Sequence, residues 1–76
     1  MDLKLSTTAR NIARLRSERG YTYAALAGRC GVSAMGIRNI EVGKNSPTLA
    51  TLEKIATALG VTSIAIQSDI FIGGDE

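Results

Sequence analysis

The residue types that carry covalent or metal chemistry are nearly missing from this chain, which has no histidine and one cysteine, Cys30, in 76 residues. A lone thiol on the inner side of a helix reads as a core residue. No pair of carboxylates falls in a plausible cleft, and no glycine motif that would cradle a phosphate occurs. An enzyme is therefore not expected, nor a metal or other cofactor. What the chain does carry is cationic charge in one region. All nine Lys and Arg lie between Lys4 and Lys54, and from Leu3 to Val61 only Glu18, Glu41 and Glu53 oppose them, which leaves +6 there; Asp69, Asp75 and Glu76 make the tail acidic. That asymmetry suits a polyanionic partner. A solvated surface rich in lysine and arginine would look the same, so charge alone does not decide the matter.

The elements that would position those charges are short. Ser6 or Thr7 can cap a first helix whose Ala9, Ile12, Ala13 and Leu15 recur at helical spacing, and Gly20 ends it. Thr22 caps a short second helix supplied by Ala24, Leu26, Ala27 and Cys30, which Gly31 terminates. Val32 follows in the turn, and Ser33 caps a third helix through Ile37, Ile40 and Glu41. The spacing predicts a fourth helix capped by Ser46, with Pro47 at its first position and Leu49, Leu52, Ile55, Ala56 and Leu59 as its apolar stripe. Gly60 stops it, and Val61 folds back onto the core.

After Val61 the pattern alternates, with Ile64, Ile66, Ile70 and Ile72 on one parity, which is the pattern of a strand. A lone strand leaves backbone donors and acceptors unpaired. The favoured reading pairs it antiparallel with the same strand of a second subunit, so these four isoleucines are the dimerisation residues. A hairpin turning at Gln67 to Asp69, or a short fifth helix followed by a disordered tail, are the alternatives. Residues 1–61 then form one domain and 62–76 the strand and acidic tail. A chain of this size buries only about 60 to 65% of its unfolded surface, so a partner subunit would supplement its core.

The unit from Thr22 to Glu41 is a short helix, a turn at Gly31 and a second short helix. A turn of about three or four residues holds two helices near a right angle, so that the second can enter a DNA major groove while the first lies across the backbone. Here the chain resembles the helix-turn-helix family of phage repressors, Cro proteins and their bacterial relatives, the XRE type. The resemblance runs from about Asn11 to Val61. Its marks are Ile12, Leu15-Arg16, Gly20, Thr22, Leu26-Ala27, Gly31-Val32-Ser33, Ile37, Ile40-Glu41, Gly43-Lys44, Pro47, Leu52, Ile55-Ala56 and Leu59-Gly60-Val61.

The resemblance implies an all-α fold, a lambda-repressor-like bundle of four or five short helices, here followed by the C-terminal strand. It further implies sequence-specific binding of double-stranded DNA by a homodimeric transcriptional regulator, a repressor of a palindromic operator; the lone Cys30 and the absence of a signal pattern in the first residues suit a reducing cytoplasm. The third helix, 33–41, would lie in the major groove. Positions matching the family's base-reading residues are Ser33, Ala34, Met35, Arg38 and Asn39. Arg38 can donate two hydrogen bonds to guanine and Asn39 can pair with adenine, whereas Ala34 and Met35 suit a thymine methyl. Thr22, Tyr23, Lys44, Asn45 and Ser46 match phosphate-contacting positions, with Tyr23 departing from the glutamine usual there. Arg16 and Glu41 match an internal ion pair that fixes the angle between helices one and three. Antitoxins that pair with kinase-like toxins share this layout, so a protein-interaction module that also regulates its own operon is the alternative. No apolar run is long enough to cross a membrane.

Overall fold

A Ser or Thr side chain opens every helix of the computed structural model, which describes residues 6–68. In chain order these are α1 (Thr7–Glu18), α2 (Tyr23–Cys30), α3 (Ala34–Glu41), α4 (Leu49–Leu59) and α5 (Ser63–Ile66). The hydroxyl oxygens of Ser6, Thr22, Ser33, Thr48 and Thr62 each accept the backbone N–H three residues on, at 2.9 to 3.1 Å. Each bond pairs a donor that the first helical turn cannot satisfy internally, and each is worth about 1 kcal/mol. Helices this short are marginal in isolation, so their remaining stability comes from the faces they bury against one another.

Those faces meet in one core. Ile12 of α1, Leu26 of α2, Ile37 of α3, Ile55 and Leu59 of α4 and Ile66 of α5 are all fully buried. Burying each such side chain favours the fold by about 1.5 to 3 kcal/mol. α2 packs against both α3 and α4, while α1 packs against α3, α4 and α5. Cys30, a free thiol, is buried in this core. The turn between α2 and α3 depends on Gly31, whose φ of +77° puts it in the left-handed region while its N–H donates to the Ala27 carbonyl at 2.9 Å. Val32 then packs against the core. The chain is all-helical over the described residues, and no helix among them is long and apolar enough to cross a membrane.

Two readings of the sequence need correction. The fourth helix is capped by Thr48, not Ser46, and Pro47 stands before the cap instead of inside the first turn. Thr48 can accept the Thr51 N–H, and proline is as well suited to the extended approach to a helix as to its first position. The strand expected over Ile64 to Ile72 is replaced in its first part by α5. A strand would turn Ile64 and Ile66 to the same side, whereas a helix sets residues two apart on nearly opposite faces. Ile64 is 79% exposed and Ile66 is 0% exposed, as the helix requires. Ile70 and Ile72 lie outside the described residues.

The C-terminal end of α5 is fastened by a side chain from the other end of the chain. Asn11, 1% exposed, donates from Nδ2 to the Ile66 carbonyl at 2.7 Å and to the Ser68 carbonyl at 3.2 Å. The Ile66 carbonyl stands at the last residue of α5, where no further turn supplies a donor, and Asn11 provides one.

Candidate nucleic-acid interface

The turn at Gly31 and Val32 sets α3 against the body so that one side is anchored and the other faces outward. Ile37, Ile40 and Glu41 are buried, while Met35 is 61% exposed and Arg38 is exposed beside it, one turn further on. Ala34 and Asn39 are half-buried, and Ser33 is exposed at the helix start. Ser33, Met35 and Arg38 are therefore presented together, with Ala34 and Asn39 at their margins. The Ser33 oxygen is already engaged by the Gly36 N–H at 2.9 Å, which leaves its hydroxyl hydrogen for an outside acceptor.

Asn39 is tied to the loop that follows. Its backbone carbonyl accepts the N–H groups of Lys44 and Asn45 at 2.8 and 3.2 Å. Its side-chain Oδ1 is buried and has no hydrogen-bond partner. With that acceptor turned inward, a two-bond contact to adenine requires the amide to rotate outward first. Lys44, Asn45 and Ser46 are all exposed, but the N–H groups of Lys44 and Asn45 are spent on Asn39, so any phosphate contact from these two falls to their side chains.

At the start of α2, Thr22 caps the helix and Tyr23 is half-buried with its ring packed against the core. The Arg16 guanidinium lies 4.4 Å from the Tyr23 ring centroid. Arg16 also meets Glu41 as a fork, with Nε donating to Oε2 at 2.6 Å and Nη2 to Oε1 at 3.0 Å, while Nη1 donates to the Tyr21 carbonyl at 2.8 Å. The side chains of Arg16 and Glu41 are 19% and 5% exposed, so the pair joins α1 to α3 largely out of solvent. The Glu41 hydrogen bond raises the Arg16 pKa, against the opposing effect of burial. Both charges are consumed inside the protein, and neither faces a ligand.

Elsewhere on α1, Arg10 is exposed, whereas Arg14 donates to Glu18 at 3.1 Å and so carries its charge beside a carboxylate. Sequence reasoning passed over Asn11, although its place four residues before Leu15 puts it on the inner face of α1. It also passed over Val42, 47% exposed at the end of α3, and over Tyr21, whose ring lies 4.6 Å from the Arg29 guanidinium.

Comparison with known proteins agrees with this geometry. A family model described as "Helix-turn-helix", HTH_3, matches residues 12–66. The HTH-type transcriptional regulator y4dJ of Sinorhizobium fredii is 39% identical over 56 residues, covering 74% of this chain and 73% of the relative. SutR, an HTH-type transcriptional regulator of Escherichia coli, is 47% identical over 57 residues, 75% of this chain but 30% of SutR. The immunity repressor protein of Bacillus phage phi105 is 37% identical over 60 residues, 79% of this chain and 42% of the repressor. A crystal structure of an HTH_3 family transcriptional regulator from Vibrio cholerae superposes with a TM-score of 0.76 at 37% identity, over 92% of this chain and 36% of that one. The chain thus spans most of y4dJ but less than half of the other three.

Proposed function

The chain belongs to the HTH_3 helix-turn-helix family of DNA-binding transcriptional regulators, which are not enzymes, and from that membership we propose that it is a homodimeric repressor of a palindromic operator. α3 enters the major groove and reads bases with Ser33, Ala34, Met35, Arg38 and Asn39. Thr22, Tyr23, Lys44, Asn45 and Ser46 hold the phosphate backbone on either side. Ile64, 79% exposed on α5, is the apolar side chain offered to a second subunit, a role closed to the fully buried Ile66. The protein acts in the cytoplasm, where its operator is.

The observation that carries this reading is the division of α3. Its inward residues Ile37 and Ile40 are locked in the core while Met35 and Arg38 stand outside it. A short helix held this way presents long side chains at the width of a major groove. The Arg16–Glu41 fork supports the same conclusion, because it braces α3 from behind without using its outer face.

Titration of the purified chain against a duplex selected from a random pool, and against unselected duplex, tests the proposal. Specific binding should exceed nonspecific binding by at least about a thousandfold, and both should weaken steeply with added salt as counterions are released. Equal affinity for the two duplexes would refute sequence-specific regulation.

A further inference from the structure

We propose that the groove between α2 and α4 is the docking site of this chain's own acidic segment, residues 69–76. The groove is an open hollow of about 810 Å³. Its apolar members, Cys30, Ala50 and Ala58, are small, so the space between the two helices is left unfilled. Its cations are Arg29 and Lys54, both exposed. The Arg29 guanidinium lies 4.6 Å from the Tyr21 ring centroid, and neither cation is ion-paired among the described residues, whereas Arg14 and Arg16 are each matched by a carboxylate. Glu53 opposes them on the same wall and leaves a net positive charge there.

An apolar hollow with cations at its rim suits a segment that carries both apolar side chains and carboxylates. Residues 69–76 read Asp-Ile-Phe-Ile-Gly-Gly-Asp-Glu, with three carboxylates and no cation, while the described residues hold eight Lys and Arg against three Glu. Ile70, Phe71 and Ile72 supply apolar surface for the hollow, Gly73 and Gly74 let the backbone turn, and Asp75 and Glu76 meet Arg29 and Lys54. Length permits this within one chain. Eight residues extend to about 26 Å, against a folded body of 29 × 29 × 23 Å, and they start from Ser68, directly after a helix that packs on α4. Docked there, the segment covers the Cys30 thiol, itself 8% exposed, and holds α2 against α4 on the side of α2 away from its DNA-facing start. The inference is independent of the regulator reading.

Two measurements on the full chain test it. With the photoreactive p-benzoylphenylalanine in place of Phe71, irradiation should give a product of single-chain mass in which position 71 is joined to residues 29–30 or 50–58. Cross-links confined to other elements overturn the proposal. A product of two-chain mass joined at the same groove assigns the segment to a second subunit and overturns docking within the chain. Occupancy is read on the natural Phe71 chain from the rate at which iodoacetamide alkylates Cys30. Asp75→Lys with Glu76→Lys should raise that rate about fivefold, as for two exposed ion pairs lost together. Adding Arg29→Glu and Lys54→Glu should return it to the wild-type rate, because the charges are then exchanged and not removed. A rate indifferent to the two tail substitutions, or one that the exchange does not lower, also overturns the proposal, and the regulator reading stands in either case.

Discussion

Asn11 and Ile66 are 55 positions apart in the chain, yet the Asn11 side chain donates to the Ile66 carbonyl at 2.7 Å inside the protein. This bond fixes the last described helix onto the first. Replacing Asn11 by alanine removes a buried donor to the Ile66 carbonyl and should cost about 1 to 3 kcal/mol, read from thermal or denaturant unfolding. Asn11→Asp should cost more at neutral pH, because a carboxylate would face two carbonyl oxygens. Its protonated form can donate again, so the folded state holds the proton more tightly than the unfolded one. Stability should therefore be highest below the ordinary aspartate pKa and fall as pH rises through the folded value. A variant whose stability is indifferent to acid would show that the side chain does not donate there.

Arg16 and Glu41 should behave as a unit. Removing either partner strands a charge that is mostly out of solvent, and Arg16→Met or Glu41→Leu alone should cost about 3 kcal/mol. The double variant should cost clearly less than the two together, by a coupling measurable in a double-mutant cycle. The raised Arg16 pKa places its titration above the ordinary arginine value. Its stabilisation is fully present below that value and is lost only as pH climbs through the folded pKa, so the coupling should not change between neutral and mildly alkaline solution. Additive single effects would exclude the pair as the brace of α3.

Tyr23 offers two separable parts, a ring over Arg16 and a hydroxyl at the start of α2. Tyr23→Phe keeps the ring, so its unfolding transition should stay within about 0.5 kcal/mol of wild type, whereas Tyr23→Leu should lose about 0.5 to 1 kcal/mol of cation–π attraction. If the hydroxyl meets a phosphate, Tyr23→Phe should weaken selected and random duplexes by the same factor, about fivefold. A loss confined to the selected duplex would move Tyr23 from backbone contact to base recognition.

Much of this fold is legible in the sequence. Thr22, Ser33, Gly31 and Gly60 mark helix ends through hydroxyl capping and left-handed backbone, and both are properties of single residues. What eluded the sequence depends on tertiary context. A four-residue helix is too short to display a helical period, so Ile64 and Ile66 looked like alternating strand residues until the core claimed one of them. Gly28 and Gly36 look alike as mid-helix glycines, yet a Cβ at Gly28 meets nothing while one at Gly36 crowds the α3 cap. Asn11 was silent because its partners are backbone carbonyls near the other end of the chain. The DNA-contact roles came from resemblance, and the geometry adds which of those side chains face outward and which are engaged.

The central claim is that the outer face of α3 reads sequence through Arg38. Parallel selection of bound duplexes from one random pool, by wild type and by Arg38→Ala, tests it most directly. Wild type should enrich a two-fold symmetric motif with half-sites about 34 Å apart, and the variant should enrich the same motif without one guanine in each half. An unchanged motif from the variant would contradict the account.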